Sequence, residues 1–210
     1  MAVVSGPLFS VDARGKVAGA VVFTHWKGRN VLRRLAVPAN PRSVGQLSVR
    51  AMMRFLSQNW SGLTSAEQND WLTRAAATNI SAFNAYCSYN MGRWGTNRLP
   101  SKLDPAAEDD TAGVISTPVG TAGSRSVLVG CTVDTLNQNW GLLFFRGTSA
   151  GIGVTRNEMV HAMLADSAAA FTWLDFPLTV GTTYYYRAYG FSEAGVIGNA
   201  LDEWSATPTA

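Results

Sequence analysis

The chain has 210 residues, 47% of them hydrophobic, a formal net charge of +3 and two cysteines, Cys87 and Cys131. That length and apolar content support one large domain or two modest ones, and cysteines so far apart argue for buried free thiols over a disulfide framework or a thiolate metal site. No stretch approaches the roughly 20 apolar residues of a membrane span, and no basic region leads into an apolar signal core, which predicts a product made in the cytoplasm with no membrane partner.

The small net charge hides an asymmetry. Residues 1–105 hold 13 Lys and Arg against 4 Asp and Glu, whereas residues 106–210 hold 4 against 10. Ten of the 13 cations in the first half are arginine, whose planar guanidinium suits protein interfaces as well as phosphate. A basic half of this kind can meet phosphate, acidic lipid or an acidic protein surface.

In chain order, Leu8, Phe9 and Val11 suggest a short arm or edge strand before a turn at residues 12–15. Residues 17–26 are rich in Val and Phe, Lys27-Gly28-Arg29-Asn30 supplies turn chemistry, and residues 31–37 return as a second strand, which predicts a β-hairpin. An isolated hairpin is marginal in water, so this one needs helices behind it or another chain beside it. His25, like His161, has no second ligand or acid near it in sequence and reads as structural. Pro38 and Pro41 then force an extended exit.

Ser43-Val44-Gly45-Gln46 reads as a capping box that starts a helix, with Val44, Leu47, Ala51, Phe55 and Leu56 on its buried face and Arg50, Arg54 and Gln58 in water. That helix ends near Trp60-Ser61-Gly62. A second capping box, Thr64 with Glu67, opens a helix whose buried side is Trp71, Leu72 and Ala75 and which closes at Thr78-Asn79. The short connection predicts a helical hairpin with Trp60 and Trp71 filling its closed end. A third helix covers residues 81–91, with Phe83, Tyr86, Cys87 and Asn90 at helical spacing, and Trp94-Gly95 ends the unit. Residues 96–113, with Pro100, Pro105 and the run Glu108-Asp109-Asp110, read as an exposed linker.

Beyond it the pattern is all-β. Val127, Val129, Cys131 and Val133 alternate on one side of residues 126–133, and further strands are predicted at 140–146, 159–164 and 170–174, within the string 178–189, and at 203–207. About seven strands is the count of a sandwich domain. The expected organisation is therefore an α+β domain at 1–105, a β-hairpin plus helical hairpin, followed by an all-β sandwich at 106–210.

Two resemblances sharpen this reading. Leu178-x-x-Gly181-Thr182-x-Tyr184-x-Tyr186-Arg187, followed by Ser192-Glu193-Ala194-Gly195 and Ser205-Ala206-Thr207-Pro208, resembles a fibronectin type III domain, itself an immunoglobulin-like sandwich, over about residues 110–210. The resemblance implies that Tyr184 forms a tyrosine corner, its hydroxyl bonded to nearby backbone and its ring in the core, and that Trp140 is the strand-C aromatic or its neighbour. It implies an interaction role and no chemistry, and the chain lacks the Arg-Gly-Asp loop that some members use for adhesion. The first half resembles a module of virion structural proteins from tailed phages and prophages, through Gly15-Lys16-Val17, the stretch from Trp26 to Val31, Pro38-Ala39-Asn40-Pro41-Arg42-Ser43, Gln46, Arg50, Trp60-x-x-Leu63-Thr64, Trp71 and Phe83-Asn84.

Together these features predict a non-enzymatic virion component, tail- or fibre-associated in the manner of a fibre–tail adaptor. Its first domain anchors to a multisubunit assembly, in contact with copies of itself and other virion proteins, while the second is displayed. The assembly residues expected are Val21, Phe23, Trp26, Arg29, Arg33, Arg34, Arg42, Arg50 and Arg54, with Trp60, Trp71 and Tyr184 structural. Capsid decoration or cementing is the alternative within the same class. From other classes come glycan or cell-surface binding through Tyr184, Tyr185, Tyr186, Tyr189, Trp173 and Trp204, and nucleic-acid binding through the arginines. An enzyme is the least favoured reading, because two histidines in different domains offer no triad and no phosphate loop or Gly-x-Ser-x-Gly elbow occurs. No cofactor or metal is expected, and the glycine-rich stretch 147–153 reads as a flexible inter-strand loop.

Overall fold

The computed structural model describes residues 2–3, 15–17, 20–37, 42–104, 112–134, 140–165 and 169–210. They divide into two compact units, Met1–Pro41 and Arg42–Ala210. The expected strand at residues 8–11, the turn at 12–15 apart from Gly15, the proline-bracketed exit and the acidic run 108–110 lie outside the described residues.

The first unit is a four-stranded antiparallel sheet made of β1 (Ala2–Val3), β2 (Gly15–Val17), β3 (Val21–Trp26) and β4 (Arg29–Arg34), in the order β1-β4-β3-β2. The hairpin is present, but its turn is tighter than the sequence suggested. Lys27 and Gly28 alone form it, both at positive φ (49° and 77°), which is the backbone twist a two-residue hairpin loop requires. Arg29 and Asn30, expected in the turn, are ladder residues opposite Trp26 and His25. The expected strand over 17–26 is instead two strands, and the returning strand stops at Arg34.

The second unit opens with three helices, α1 (Val44–Asn59), α2 (Ser65–Thr78) and α3 (Ala82–Gly95), with a 3-10 turn at Trp60–Gly62. Ser43 is the N-cap of α1 but makes no side-chain cap bond, so the first predicted capping box does not form. The second is complete: Glu67 N–H donates to Thr64 Oγ1 at 3.3 Å and Thr64 N–H donates to Glu67 Oε2 at 2.6 Å. Asn79 ends α2 in the left-handed conformation (φ 53°). The helical hairpin is not the one predicted, since α2 packs on α3, and α3 in turn on α1. Aromatic packing decides this, because Trp60 and Trp71 both lie 5.3 Å from the ring of Tyr86 on α3.

Eight strands follow: β5 (Ile115–Gly123), β6 (Ser126–Val133), β7 (Gly141–Gly147), β8 (Met159–Leu164), β9 (Ala170–Asp175), β10 (Tyr184–Phe191), β11 (Ile197–Ala200) and β12 (Trp204–Ala206). One antiparallel sheet has the order β5-β6-β9 and the other β11-β10-β7-β8, with β12 also paired to β10. The sheets enclose Val127, Val129, Cys131 and Val133 from β6, Leu142 and Phe144 from β7, and Tyr184, Tyr186 and Ala188 from β10. The unit is thus α+β with β-sandwich character.

The helices belong to this body and not to a separate domain. Leu143 and Phe145 of β7, Tyr189 and Phe191 of β10, and Trp140 share one core with Met52, Phe55, Leu56, Trp71, Tyr86 and Trp94. The division predicted near residue 105 accordingly falls at Pro41 instead. The physical reason lies in β7, where residues 141–145 are all buried, a pattern that requires cover on both faces of the sheet. Trp140 sits in this second core, with its ring 4.9 Å from Phe55 and 5.8 Å from Phe191, on the helical side of the sheet. Gly141 makes room for those rings: a Cβ there would lie 2.6 Å from Phe191 and 2.9 Å from Phe55.

Residues 96–104, expected as exposed linker, form a strap between helices and sheet. Leu99, Pro100 and Ser101 are buried. Asn90 exchanges two hydrogen bonds with the Ser101 backbone (3.0 and 2.7 Å), Trp71 Nε1 donates to the Lys102 carbonyl at 3.1 Å, and Lys102 N–H donates to the Glu193 carbonyl at 2.7 Å. The Lys102 ammonium bridges Glu67 (2.9 Å) on α2 and Glu193 (2.6 Å) beyond β10. Burial alone would raise the Glu67 carboxyl, but bonds from Lys102 and from Thr64 hold it below its usual range. Proline here shapes a tethered segment, not a spacer.

Candidate docking surface

The register of the first unit's sheet assigns each predicted interface residue to a face, because residues directly opposite one another in an antiparallel pair share a side. With Trp26 opposite Arg29, Thr24 opposite Val31 and Val22 opposite Arg33, these six side chains form one face. Lys16, paired with Val22, joins them. Val21, Phe23, His25, Asn30, Leu32 and Arg34 form the other. The predicted set is therefore split between two faces: Trp26, Arg29 and Arg33 on one, Val21, Phe23 and Arg34 on the other.

Trp26 is 58% exposed, while Val31 beneath the same face is 3% exposed. Thr24, His25, Trp26, Val31 and Arg33 line an open depression of about 430 Å³. The Lys27 ammonium lies 4.8 Å from the Trp26 ring centroid, a cation–π contact that covers one face of the indole. His25 Nδ1 is 3.0 Å from Asn30 Oδ1. Thr24, Val31 and Lys27 were not predicted at this site. The signal for them was Lys27-Gly28 itself, since a two-residue turn fixes every cross-strand pair by counting outward from it.

Among the described residues, neither hydrophobic core contains a side chain of the first unit, and Val31 is the one buried side chain in it. Its described residues carry Lys16, Lys27, Arg29, Arg33 and Arg34 and no acidic residue. The described part of this sheet thus has little buried apolar surface to stabilise it and carries charge of one sign.

The other three predicted arginines belong to the second unit. Arg42 donates to the Phe176 carbonyl at 2.8 Å, and Arg50 and Arg54 are exposed on α1. Arg54 also acts on His161, which is stacked on Trp173 (4.5 Å between centroids, 17° between planes). Burial first, and the Arg54 charge second, push the His161 imidazole down to about 4. In the unfolded chain it titrates near 6.5, so the unfolded state takes up the proton first as pH falls. Stability is then complete above pH 6.5 and drops by up to about 3 kcal/mol on the way to pH 4. Urea titrations at stepped pH should show this loss in the parent chain and its absence in His161→Phe.

The structural trio is well defined. Trp71 is fully buried and Trp60 half-buried against α3, while the Tyr184 hydroxyl accepts from Thr179 N–H at 3.2 Å with its ring in the inter-sheet core. The aromatics considered for sugar stacking are largely spent on packing: Tyr184, Tyr186 and Tyr189 are buried, and Tyr185, Trp173 and Trp204 half-buried. The glycine-rich loop after β7 is pinned, because the Glu203 carboxylate accepts from Gly151 and Ile152 N–H at 2.9–3.2 Å.

Both cysteines are free and buried. Burial, helped by Asp134, pushes the Cys131 thiol up to about 12, and burial also raises Cys87, so neither is poised as a nucleophile. Among the described residues no cluster of three or more His, Cys, Asp or Glu is placed to hold a metal ion, and no helix is long and apolar enough to cross a membrane.

No protein-family profile matches the chain, and no curated protein matches it. Among solved structures, it is similar to the β-1,2-glucanase from Parabacteroides distasonis (18% identity, TM-score 0.38, over 53% of this chain and 14% of that one). It is also similar to pectate lyase PelI from Erwinia chrysanthemi (20% identity, TM-score 0.32, over 41% and 27%) and to a myokine (14% identity, TM-score 0.34, over 49% and 100%). The chain thus spans a minor part of the first two.

Proposed function

We propose that this protein is a non-enzymatic structural component of a tailed-phage virion, associated with the tail or fibre region. The first unit docks on a multisubunit assembly and the second is the body it displays. The observation that carries the reading is the sheet of the first unit, which has a basic surface, an exposed tryptophan and no core of its own among its described residues. Such an element is completed by neighbouring subunits, through its faces or by strand addition at its edges.

For the displayed body we propose a fibronectin type III-like sandwich braced by helices. The pairing β5-β6-β9 against β11-β10-β7-β8 and the Tyr184 hydroxyl bonded to the Thr179 amide support it. The helices move the proposed anchor boundary from residue 105 to residue 41, so docking rests on the hairpin sheet and Arg42, Arg50 and Arg54 belong to the displayed body.

Phage particles assembled in cells producing either the tagged full chain or tagged residues 42–210 provide the test. The full chain is expected in purified particles and the shortened chain is expected to be missing from them while remaining folded. Equal incorporation of both would overturn the reading.

A further inference from the structure

We infer that the depression over Val31 is the anchoring point of the first unit, and that it takes a protein segment presenting an apolar side chain next to carboxylates. The inference rests on the docking reading above and adds the chemistry of the partner. The floor is apolar: the indole of Trp26, 58% exposed, and the nearly buried Val31 (3%) border a space of about 430 Å³ that Thr24, His25 and Arg33 also line. An aliphatic or aromatic side chain fits such a floor, and a tryptophan with arginines around an apolar centre is the composition that dominates binding energy in protein interfaces.

The rim sets the charge of the occupant. Lys16, Arg29 and Arg33 share this face, Lys27 stands at its turn, and no described residue of the unit is acidic. A partner must therefore supply anions to avoid leaving the cations facing one another. Carboxylates and phosphates both qualify, and the aromatic geometry separates them. A polynucleotide needs a run of free aromatic faces on which successive bases stack. Among the described residues this face has one aromatic, and Lys27 already covers one side of it; Phe23 lies on the opposite face. A single apolar anchor between carboxylates suits the site, and a stack of bases does not.

The test titrates the full chain with three probes at low and moderate salt: the peptide Asp-Glu-Leu-Phe-Glu-Asp, its counterpart with serines for Leu-Phe, and oligothymidylate. Calorimetry and backbone NMR shifts report binding and its location. The Leu-Phe peptide is expected to shift Thr24, Trp26 and Val31, and to bind about tenfold or more tightly than the serine peptide and oligothymidylate. Arg33→Glu and Trp26→Ala should each weaken it by about tenfold or more. Tighter binding of oligothymidylate, no peptide binding, or binding indifferent to both substitutions would overturn the inference, as would self-association of the chain that Arg33→Glu abolishes. These failures differ from failure of the docking reading, because particles would still require residues 1–41.

Discussion

Replacing Phe55 with alanine is expected to lower the unfolding free energy of the whole second unit by about 3–5 kcal/mol, in one cooperative transition. Phe55 is 1% exposed and its ring meets Trp140 at 4.9 Å and Phe191 at 5.5 Å, so it joins α1 to the sheet at the point where Gly141 leaves space. Truncation removes the edge-on aromatic contacts and leaves a cavity whose walls, β7 and β10, are held by pairing on both sides and relax little. The informative feature is what else melts. If helices and sheets share a core, helical circular dichroism and the near-ultraviolet signal of the sheet aromatics shift together in urea, with an unchanged m value. Separate transitions would divide the unit.

The second large effect is expected at Asp175, which is 4% exposed at the end of β9. Its carboxylate takes two bonds from Arg146 Nη1 of β7 (2.8 and 2.7 Å) and one from the Tyr186 hydroxyl of β10 (3.1 Å). It thereby ties the three-stranded sheet to the larger one. Asp175→Ala strands the Arg146 guanidinium in a site with little water, a change that costs about 3–5 kcal/mol in comparable buried pairs. An apolar pair in place of both residues, Arg146→Met with Asp175→Leu, should recover part of that loss, because two charges no longer need desolvation while the buried Tyr186 hydroxyl still lacks its acceptor. Chemical denaturation of the two variants beside the parent chain checks both values. A double variant as unstable as Asp175→Ala would show that the network contributes more than compensation of burial.

What the sequence disclosed tracks how local each signal is. Thr64 with Glu67, Asn79, and the alternation of Val127, Val129, Cys131 and Val133 are written within a few residues, and each element stands where it was expected. β5 was missed because Thr117 at φ 48° and Pro118 break its pattern; its ladder shifts register between Ser116 and Val119. The partner of α2 and the fate of the strap depended on long-range packing around Tyr86 and on Lys102, which no window of sequence contains. One non-local fact stood in the sequence without being read from it. Leu142, Leu143, Phe144 and Phe145 do not alternate, and a strand apolar on both faces announces a layer on each side. Of the candidate interface, the hairpin and its cations were visible from composition, but their division between two faces required the register set by Lys27 and Gly28.

The most direct test of the account is amide hydrogen exchange of the chain alone and after incorporation into the particle. In isolation, the amides of β3 and β4 are expected to open far more readily than those of β6, β7 and β10, because among the described residues no core backs them, and to become protected in the proposed particle. Protection of β3 and β4 in the isolated chain equal to that of β7, unchanged by assembly, would contradict it.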